Sequence, residues 1–244
     1  MILRHKHFRA CAQLALVLLT LGSTGALQAL GQNKGPPTTQ QILFRMDKTS
    51  RTLKTMTANL KQTKVTVVVN DVSEENGRLF YRKKRRMQTI KIDYEKPNLR
   101  TLLVEEGKIK IIEPRIKRYQ EYNTSKAPGE DKFHLFWFGK SSSKIQKDYY
   151  VNHLQDLTID GKFTSLLELR PKSIKIKAMF ARIQLWVDHQ NWIPIKTRLF
   201  ETSEDHLTIV LSNIKINPRL SAKTFKMTIP SDYERVQQEV FHLN

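Results

Sequence analysis

The stretch from Gly77 to Tyr122 constrains the fold most, because apolar and polar residues alternate along several short segments of it. Lys91 separates Ile90 from Ile92, and a lysine likewise separates the isoleucines at 109 and 111. Successive side chains of a strand point to opposite faces, so this period of two predicts a sheet with one apolar and one polar face. Proline or glycine at 95–98, 105–107 and 113–115 favours turns, which makes the stretch an antiparallel meander. The function depends on what covers the apolar face.

The first 31 residues have the layout of a secretory signal peptide: a basic start, an apolar run at 14–21, and small residues at 23–26 and 29–31. Cleavage after Ala26 and cleavage after Gly31 both fit, and an uncleaved anchor helix is the alternative. We expect residues 32–37 to be a flexible linker and residues 38–244 to form one domain. The only cysteine, Cys11, lies in the signal segment, so the mature protein has no disulfide. The sequence thus predicts an exported, periplasmic protein held together by its own core.

The net charge is +19, and removal of the signal segment, which holds three basic residues and no acid, leaves +16. For an exported protein this charge favours anionic lipid headgroups, lipopolysaccharide, acidic polymers or an acidic partner protein over nucleic acid. The densest basic run is 82–86. It predicts either an anion-binding patch or a strand tip that like charge protects from edge pairing.

Two segments are candidates to cover the apolar face. From Thr38 to about Thr63 apolar residues recur at helical spacing, which predicts an amphipathic helix that packs as core or lies over the sheet as a lid. The aromatic run Phe136, Trp137 and Phe138 lies between polar loops. It predicts a plug in a cavity, with ordinary core burial as the alternative.

Most other segments are predicted to be strands: 65–72, 163–169, 174–180, 182–188, 192–201, 207–216 and 225–229, with a turn at 73–77. No segment alternates strand and helix as a parallel sheet requires. The predicted fold is mainly β: a single curled antiparallel sheet that forms an incomplete β-barrel of roughly ten strands. An N-terminal helix and short helices serve as its lid and plug.

The sequence offers little for catalysis or metal binding. No two histidines after the signal segment are three or four residues apart, and no His-Glu-x-x-His motif occurs. Gly139-Lys140-Ser141 ends like a phosphate-binding loop, but His134 stands where that motif needs its first glycine. We therefore expect a binding protein, not an enzyme, without metal or cofactor.

The order of several short motifs resembles the LolA-like family of periplasmic outer-membrane lipoprotein carriers. The matching segments are Thr57–Thr63 with its glutamine, Gly77–Lys83, Ile92–Pro97, Leu103–Ile109, Leu167–Lys172, Ile183–Asp188, Trp192–Pro194, Asn213–Asn217 and Phe225–Pro230. Each motif alone is weak, but their order spans essentially the whole mature chain.

This resemblance implies that acyl chains are held in an apolar cavity under a lid. It also implies that lipoproteins come from an inner-membrane ABC-type release complex and pass to an outer-membrane acceptor. We expect a monomer that contacts the anionic membrane surface transiently. One departure concerns the lid: the family often has Arg-Pro after the second strand, whereas this chain has Lys83 and no proline. The alternatives are a lipid- or lipopolysaccharide-binding sensor or regulatory protein on the same fold, and an interaction module with a filled barrel.

Alternation and resemblance together give the candidate site residues. The predicted acyl-binding cavity and lid consist of Leu43, Met46, Leu53, Met56, Leu79, Tyr81, Ile90, Ile92, Tyr94, Leu102, Val104, Phe136, Trp137, Phe138, Ile183 and Leu185. The predicted lid latch or anionic headgroup contacts are Arg82, Lys83 and Arg86. A shift of one residue in register would exchange the two faces of a strand, so these assignments depend on the register.

Overall fold

A computed structural model describes residues 35–85, 87–105, 107–123 and 141–238. The chain divides into two compact units, Met1–Gly35 and Pro36–Asn244, and the following description concerns the second. The predicted signal segment, the aromatic run Phe136, Trp137 and Phe138, and Arg86 lie outside the described residues.

The described part of the first half contains one α-helix and six strands. Their bounds are α1 Thr39–Thr52, β1 Thr55–Thr66, β2 Asp71–Lys84, β3 Met87–Tyr94, β4 Arg100–Glu105, β5 Lys108–Glu113 and β6 Arg118–Asn123. Helix α1 begins at a capping box. The Thr38 hydroxyl accepts from Gln41 N at 3.3 Å, and the Gln41 side chain accepts from Thr38 N at 2.9 Å. Two backbone donors that the helix cannot satisfy are paired in this way.

Helix α1 is shorter than the sequence predicts, because it ends at Thr52 and not near Thr63. Strand β1 follows at once, with Met56, Ala58 and Leu60 buried at a spacing of two. The helical prediction beyond residue 52 was wrong because positions 53, 56 and 60 also fit a helical period.

Strands β1 and β2 form a long hairpin, paired from Thr55 with Arg82 to Thr66 with Asp71. The predicted strand 65–72 and the predicted turn 73–77 were therefore wrong: residues 67–70 form the turn, and residues 73–77 lie within β2. Asn70 adopts a positive φ of 50°, which asparagine tolerates better than most residues. Asn70 thus ends a turn that three valines, which are typical of strands, would not predict.

The described part of the second half contains α2 Ser142–Asp148, β7 Tyr149–Ile159, β8 Lys162–Pro171, α3 Ile174–Lys177, β9 Arg182–Asp188, β10 Pro194–Phe200, β11 His206–Ile216 and β12 Glu234–Gln238. Two predicted strands were wrong: 174–180 begins with α3, and 225–229 begins at the last residue of a 3-10 turn and forms no strand. The Ser173 hydroxyl accepts from Ile176 N at 3.3 Å, so a helix cap prevails over an Ile-Lys alternation that imitates a strand.

The described strands form one twelve-stranded sheet in the order β12-β6-β5-β4-β3-β2-β1-β11-β10-β9-β8-β7. Neighbouring strands are antiparallel, except that β12 runs parallel to β6. The sheet curls without closing, since β12 and β7 are its two edges. The predicted fold class is confirmed, with twelve strands where roughly ten were expected.

Candidate functional site

The inner face of the curled sheet is apolar because the inward positions of neighbouring strands are in register. Two rows of side chains run across β2–β5: Leu79, Ile92, Leu102 and Ile111 in one, and Tyr81, Ile90, Val104 and Ile109 in the other. Cross-strand neighbours on one face pack directly against each other. The meander therefore presents a continuous apolar surface.

The structure brings the described cavity-and-lid residues together. Leu43, Met46, Leu53, Met56, Leu79, Tyr81, Ile90, Ile92, Tyr94, Leu102, Ile183 and Leu185 belong to one buried cluster, against which Val104 packs. The same cluster contains residues that the sequence prediction omitted, among them Leu167, Leu169, Leu199, Ile209 and Leu211. Alternation within β8–β11 was the signal that would have found them.

Helix α1 covers this surface with one face. Ile42 and Leu43 are 0% and 1% exposed, whereas the adjacent Phe44 is 70% exposed. Helix α2 adds Ile145, and the connection that contains α3 adds Phe180. The cover therefore consists of several short segments, each of which buries few side chains.

Polar contacts fix the C-terminal end of α1. Lys83 Nζ donates to the carbonyl oxygen of Ser50 at 3.0 Å. The Asn217 side chain accepts from Lys54 N at 2.8 Å and donates to Thr52 O at 3.2 Å. These contacts reach backbone groups at and just beyond the end of the helix, where intrahelical partners run out.

The predicted latch residues occupy different faces of β2. Lys83 reaches α1, whereas Arg82 points to the outer face, where its guanidinium lies 4.3 Å from the Phe225 ring centroid. Arg82 also lies 3.7 Å from Glu105. Arg82 is thus not in contact with the lid, and Arg86 is outside the described residues.

The middle of α1 is tied to its neighbours. The Asp47 carboxylate accepts from the backbone N and the hydroxyl of Ser142, both at 2.5 Å, which joins α1 to the start of α2. Thr49 Oγ1 donates to Asn191 O at 2.9 Å, which joins α1 to the β9–β10 turn.

A partly buried polar cluster lies between β7, β8 and the β9–β10 turn. Asp156 Oδ1 is 2.8 Å from His153 Nε2 and 2.6 Å from Ser165 Oγ, which lies 2.6 Å from His189 Nε2. Burial lowers the pKa of His189, although the charges of Asp156 and Asp188 oppose that effect. Ser165 is fully buried, and the serine, not a histidine, occupies the middle of the cluster. The cluster is therefore not arranged as an accessible nucleophile with its base.

This cluster contacts α1 at two points. The backbone N of His153 donates to Thr39 Oγ1 at 3.1 Å at the start of the helix. His189 stacks on Trp192 at 4.6 Å, and Arg45 of α1 lies 4.7 Å above the Trp192 ring. The start and the middle of the helix thus rest on the cluster and its aromatic neighbour.

A second polar network lies on the inner face near the β1–β2 turn. Glu75 accepts two hydrogen bonds from Arg100, at 2.5 and 2.6 Å, and Arg100 lies 3.9 Å from the Tyr94 ring centroid. Tyr94 OH donates to Gln62 Oε1 at 2.9 Å. Burial would raise the pKa of Glu75, but the hydrogen bonds and charge of Arg100 outweigh it and lower that pKa. Burial raises the pKa of Tyr94 to about 12.

A narrow cleft of about 30 Å³ lies beside this network. Its lining consists of Gln62, Lys64, Phe180, Leu199, Glu201, Asp205, His206 and Leu207. In the described ranges, no helix is long and apolar enough to cross a bilayer. Nor is any group of three or more His, Cys, Asp or Glu side chains in that part of the chain placed to hold a metal ion.

Fold and site define a class of protein: an incomplete β-barrel whose apolar inner face lies under short helices, an arrangement consistent with lipid binding. A family model described as outer membrane lipoprotein carrier protein LolA matches residues 51–228. The chain belongs to this LolA family, and the resemblance seen in the sequence is confirmed. A search of curated proteins finds no significant match.

Solved structures share the fold at low sequence identity. An uncharacterized conserved protein from Thermus thermophilus superposes with a TM-score of 0.53 and 11% identity, over 82% of this chain and 98% of that one. MucB superposes with a TM-score of 0.51 and 9% identity, over 78% of this chain and 62% of that one. A Pseudomonas aeruginosa MucA/MucB complex reaches 0.48 at 10% identity, over 77% and 60%. At these identities, the two superpositions with TM-scores above 0.5 show the fold alone.

Proposed function

We propose that this protein is a periplasmic carrier that shields the acyl chains of lipoproteins between the inner and outer membranes. One observation carries the proposal: the apolar inner face of an unclosed sheet is covered by a 14-residue helix held by a few separated polar contacts. Displacement of that helix would uncover apolar surface without unfolding the sheet. Family membership supports the same function.

The energies involved suit reversible binding. Burial of an acyl chain gives about 0.8 kcal/mol for each CH₂ group. Helix α1 gives up the burial of Ile42, Leu43 and Met46 when it moves, together with hydrogen bonds of about 1 kcal/mol each. An incoming acyl chain covers the sheet surface that the helix uncovers, so its burial offsets part of the cost of opening. Such an offset favours reversible binding, which a carrier requires because it must also release its cargo.

In this proposal, an inner-membrane ABC-type complex loads the carrier and an outer-membrane acceptor unloads it. The test is native mass spectrometry of protein purified from a bacterial periplasm, followed by solvent extraction. We expect a bound acylated polypeptide. Lipopolysaccharide or phospholipid alone would instead support a lipid sensor on this fold. A bare protein mass with no uptake of a fluorescent fatty acid would contradict both.

Adjacent residues of α1 provide a matched pair of variants. Leu43→Glu places a charge on the covered face, whereas Phe44→Glu places the same charge on the exposed face. We expect Leu43→Glu to weaken binding of a fluorescent fatty acid at least tenfold and Phe44→Glu to leave it unchanged. Circular dichroism must show the sheet intact in both. Equal affinities of the two folded variants would contradict binding under α1.

A further inference from the structure

One end of the sheet gathers exposed apolar side chains on separate connections. Alternate connections of an antiparallel sheet lie at the same end, so the β1–β2, β3–β4, β5–β6 and β8–β9 connections share the end opposite the α1–β1 junction. Each exposes a large apolar side chain: Val68 is 84% exposed, Leu99 47%, Ile116 51% and Ile174 84%.

The same end is basic. Lys172, Lys175 and Lys177 are exposed around Ile174 of α3. Lys96 and Arg115 line a surface groove of about 760 Å³. Within the described part of the chain, no ion pair involves these five cations. The Lys172 ammonium donates to the carbonyl oxygen of Gln146 at 2.6 Å, and the charges of the exposed Lys96, Arg115, Lys175 and Lys177 are directed to solvent.

Acids at this end neutralise little of that charge. Glu204 pairs with Arg182 at 2.7 Å, and Asp232 pairs with Lys117 at 3.0 Å. Asp205, which also lies at this end of the sheet, accepts a hydrogen bond from the backbone N of Val67 at 2.7 Å. Asp71 and Glu95 are exposed there as well, but the solvent-directed cations outnumber them.

We propose that this end of the sheet, here called the docking rim (Val68, Leu99, Ile174, Lys172, Lys175 and Lys177), binds the surface of an anionic lipid bilayer. The proposal goes beyond acyl shielding, because the docking rim lies on the loops and not on the face beneath α1. Membrane contact through the docking rim leaves α1 free to move.

The arrangement of the docking rim favours a bilayer over an acidic protein. Its apolar side chains lie on separate connections in small groups: Val68 with Val67 and Val69 on the β1–β2 turn, Leu99 on the β3–β4 connection, and Ile174 among the lysines around α3. Small groups on separate connections do not form the continuous apolar core typical of protein interfaces. Such side chains enter the headgroup region while lysines of the same rim meet lipid phosphates, which is the pattern of interfacial membrane binding. The Lys172 ammonium also lies 5.0 Å from the ring centroid of the exposed Tyr150, which adds an aromatic side chain suited to that interface.

The test is flotation of the purified full-length protein with phosphatidylcholine vesicles that contain or lack about 30% phosphatidylglycerol. We expect binding only to the anionic vesicles. The triple variant Lys172→Gln, Lys175→Gln, Lys177→Gln should bind about fivefold more weakly for each lysine removed. Ile174→Ser should weaken binding without a change of charge, and since Ile174 is exposed the fold should tolerate it.

A matched control removes three exposed lysines elsewhere: Lys48→Gln, Lys84→Gln, Lys215→Gln. We expect this variant to bind anionic vesicles within about threefold of the parent, because its charges lie outside the docking rim. Equal loss in the two triple variants, or no binding by the parent, would overturn the proposal. Fatty-acid binding, measured in the same samples, should be unchanged in the docking-rim variants. Absence of fatty-acid binding would instead contradict the proposed carrier function.

Discussion

The ammonium of Lys83 lies 3.0 Å from the carbonyl oxygen of Ser50, so a side chain from the second strand holds the last turn of the helix that covers the sheet. Carbonyl groups at a helix C-terminus lack intrahelical partners and carry partial negative charge, which makes them suitable acceptors for a cation. A lysine makes this contact at one point, unlike an arginine, whose planar fork can make two parallel hydrogen bonds. A single-point contact breaks more easily than a forked one.

Replacement of this lysine should loosen the helix. We expect Lys83→Met to lower the free energy of unfolding by about 1.5–3 kcal/mol, the usual range for a hydrogen bond to a charged group. It should also accelerate uptake of a fluorescent fatty acid, because α1 opens more often. Denaturant titration and stopped-flow fluorescence measure the two effects. Lys84→Met, at the exposed neighbouring position, is the control. Unchanged uptake kinetics in Lys83→Met would contradict a latch.

The meander could be predicted from sequence because half-buried strands show their period directly. Ile90 and Ile92 alternate with Lys91 and Asp93, and the structure places the two isoleucines in neighbouring cross-strand rows. The boundary between α1 and β1 could not be predicted in the same way. Leu53 and Met56 fit a helical period with the residues before them, whereas Met56 also begins the period of two that Ala58 and Leu60 continue. Tertiary pairing of β1 with β2 and β11 decides between the two periods.

The polar cluster beneath α1 shows a different limit. Asp156, Ser165 and His189 come from separate segments, and their proximity depends on a register shift of β7 between His153 and Gln155. No local sequence pattern encodes such a shift, because it is a property of the paired strands. The side chains that tie α1 to its surroundings, such as Asp47, were overlooked for the same reason: their partners are distant in sequence.

The ion pair between Glu75 and Arg100 should contribute more to the free energy of unfolding than the ion pair between the adjacent Glu74 and Lys61. Glu75 and Arg100 side chains are 15% and 21% exposed, whereas Glu74 and Lys61 are 49% and 50% exposed. We expect Arg100→Met to lower the free energy of unfolding by about 2–3 kcal/mol, because a largely buried carboxylate loses its cationic partner and keeps only the amide donors of Gln62 and Asn98. Lys61→Met, the control, should have little effect. Chemical denaturation at neutral pH compares them, and equal losses would contradict this ranking.

Gly77 permits a close approach of β2 and β3. A Cβ atom at this position would lie 2.7 Å from the backbone oxygen of Asp93 and 3.2 Å from Tyr94 Cα. Gly77→Ala must therefore push the two strands apart, and we expect a loss of about 1–3 kcal/mol in the free energy of unfolding. Gly35→Ala is the control, since a Cβ there meets nothing within 4 Å. If both variants melt at the same temperature as the parent, the two strands can move apart with no loss of stability, and the prediction is wrong.

His189 should make stability depend on pH. Burial lowers its pKa from 6.5, so the folded protein resists protonation of a group that the unfolded chain protonates readily. As the pH falls below about 6.5, the unfolded state binds more protons than the folded state, and the free energy of unfolding decreases. The contribution is at most about 1.4 kcal/mol for each pH unit, and it ends below the folded-state pKa.

His189→Gln removes this titration. Its free energy of unfolding should be lower than that of the parent near pH 7.5, because the contact with Ser165 is disturbed. Between pH 7 and pH 5 it should then fall less steeply. Urea titrations across this range measure both slopes, and parallel pH profiles would exclude His189 as their source.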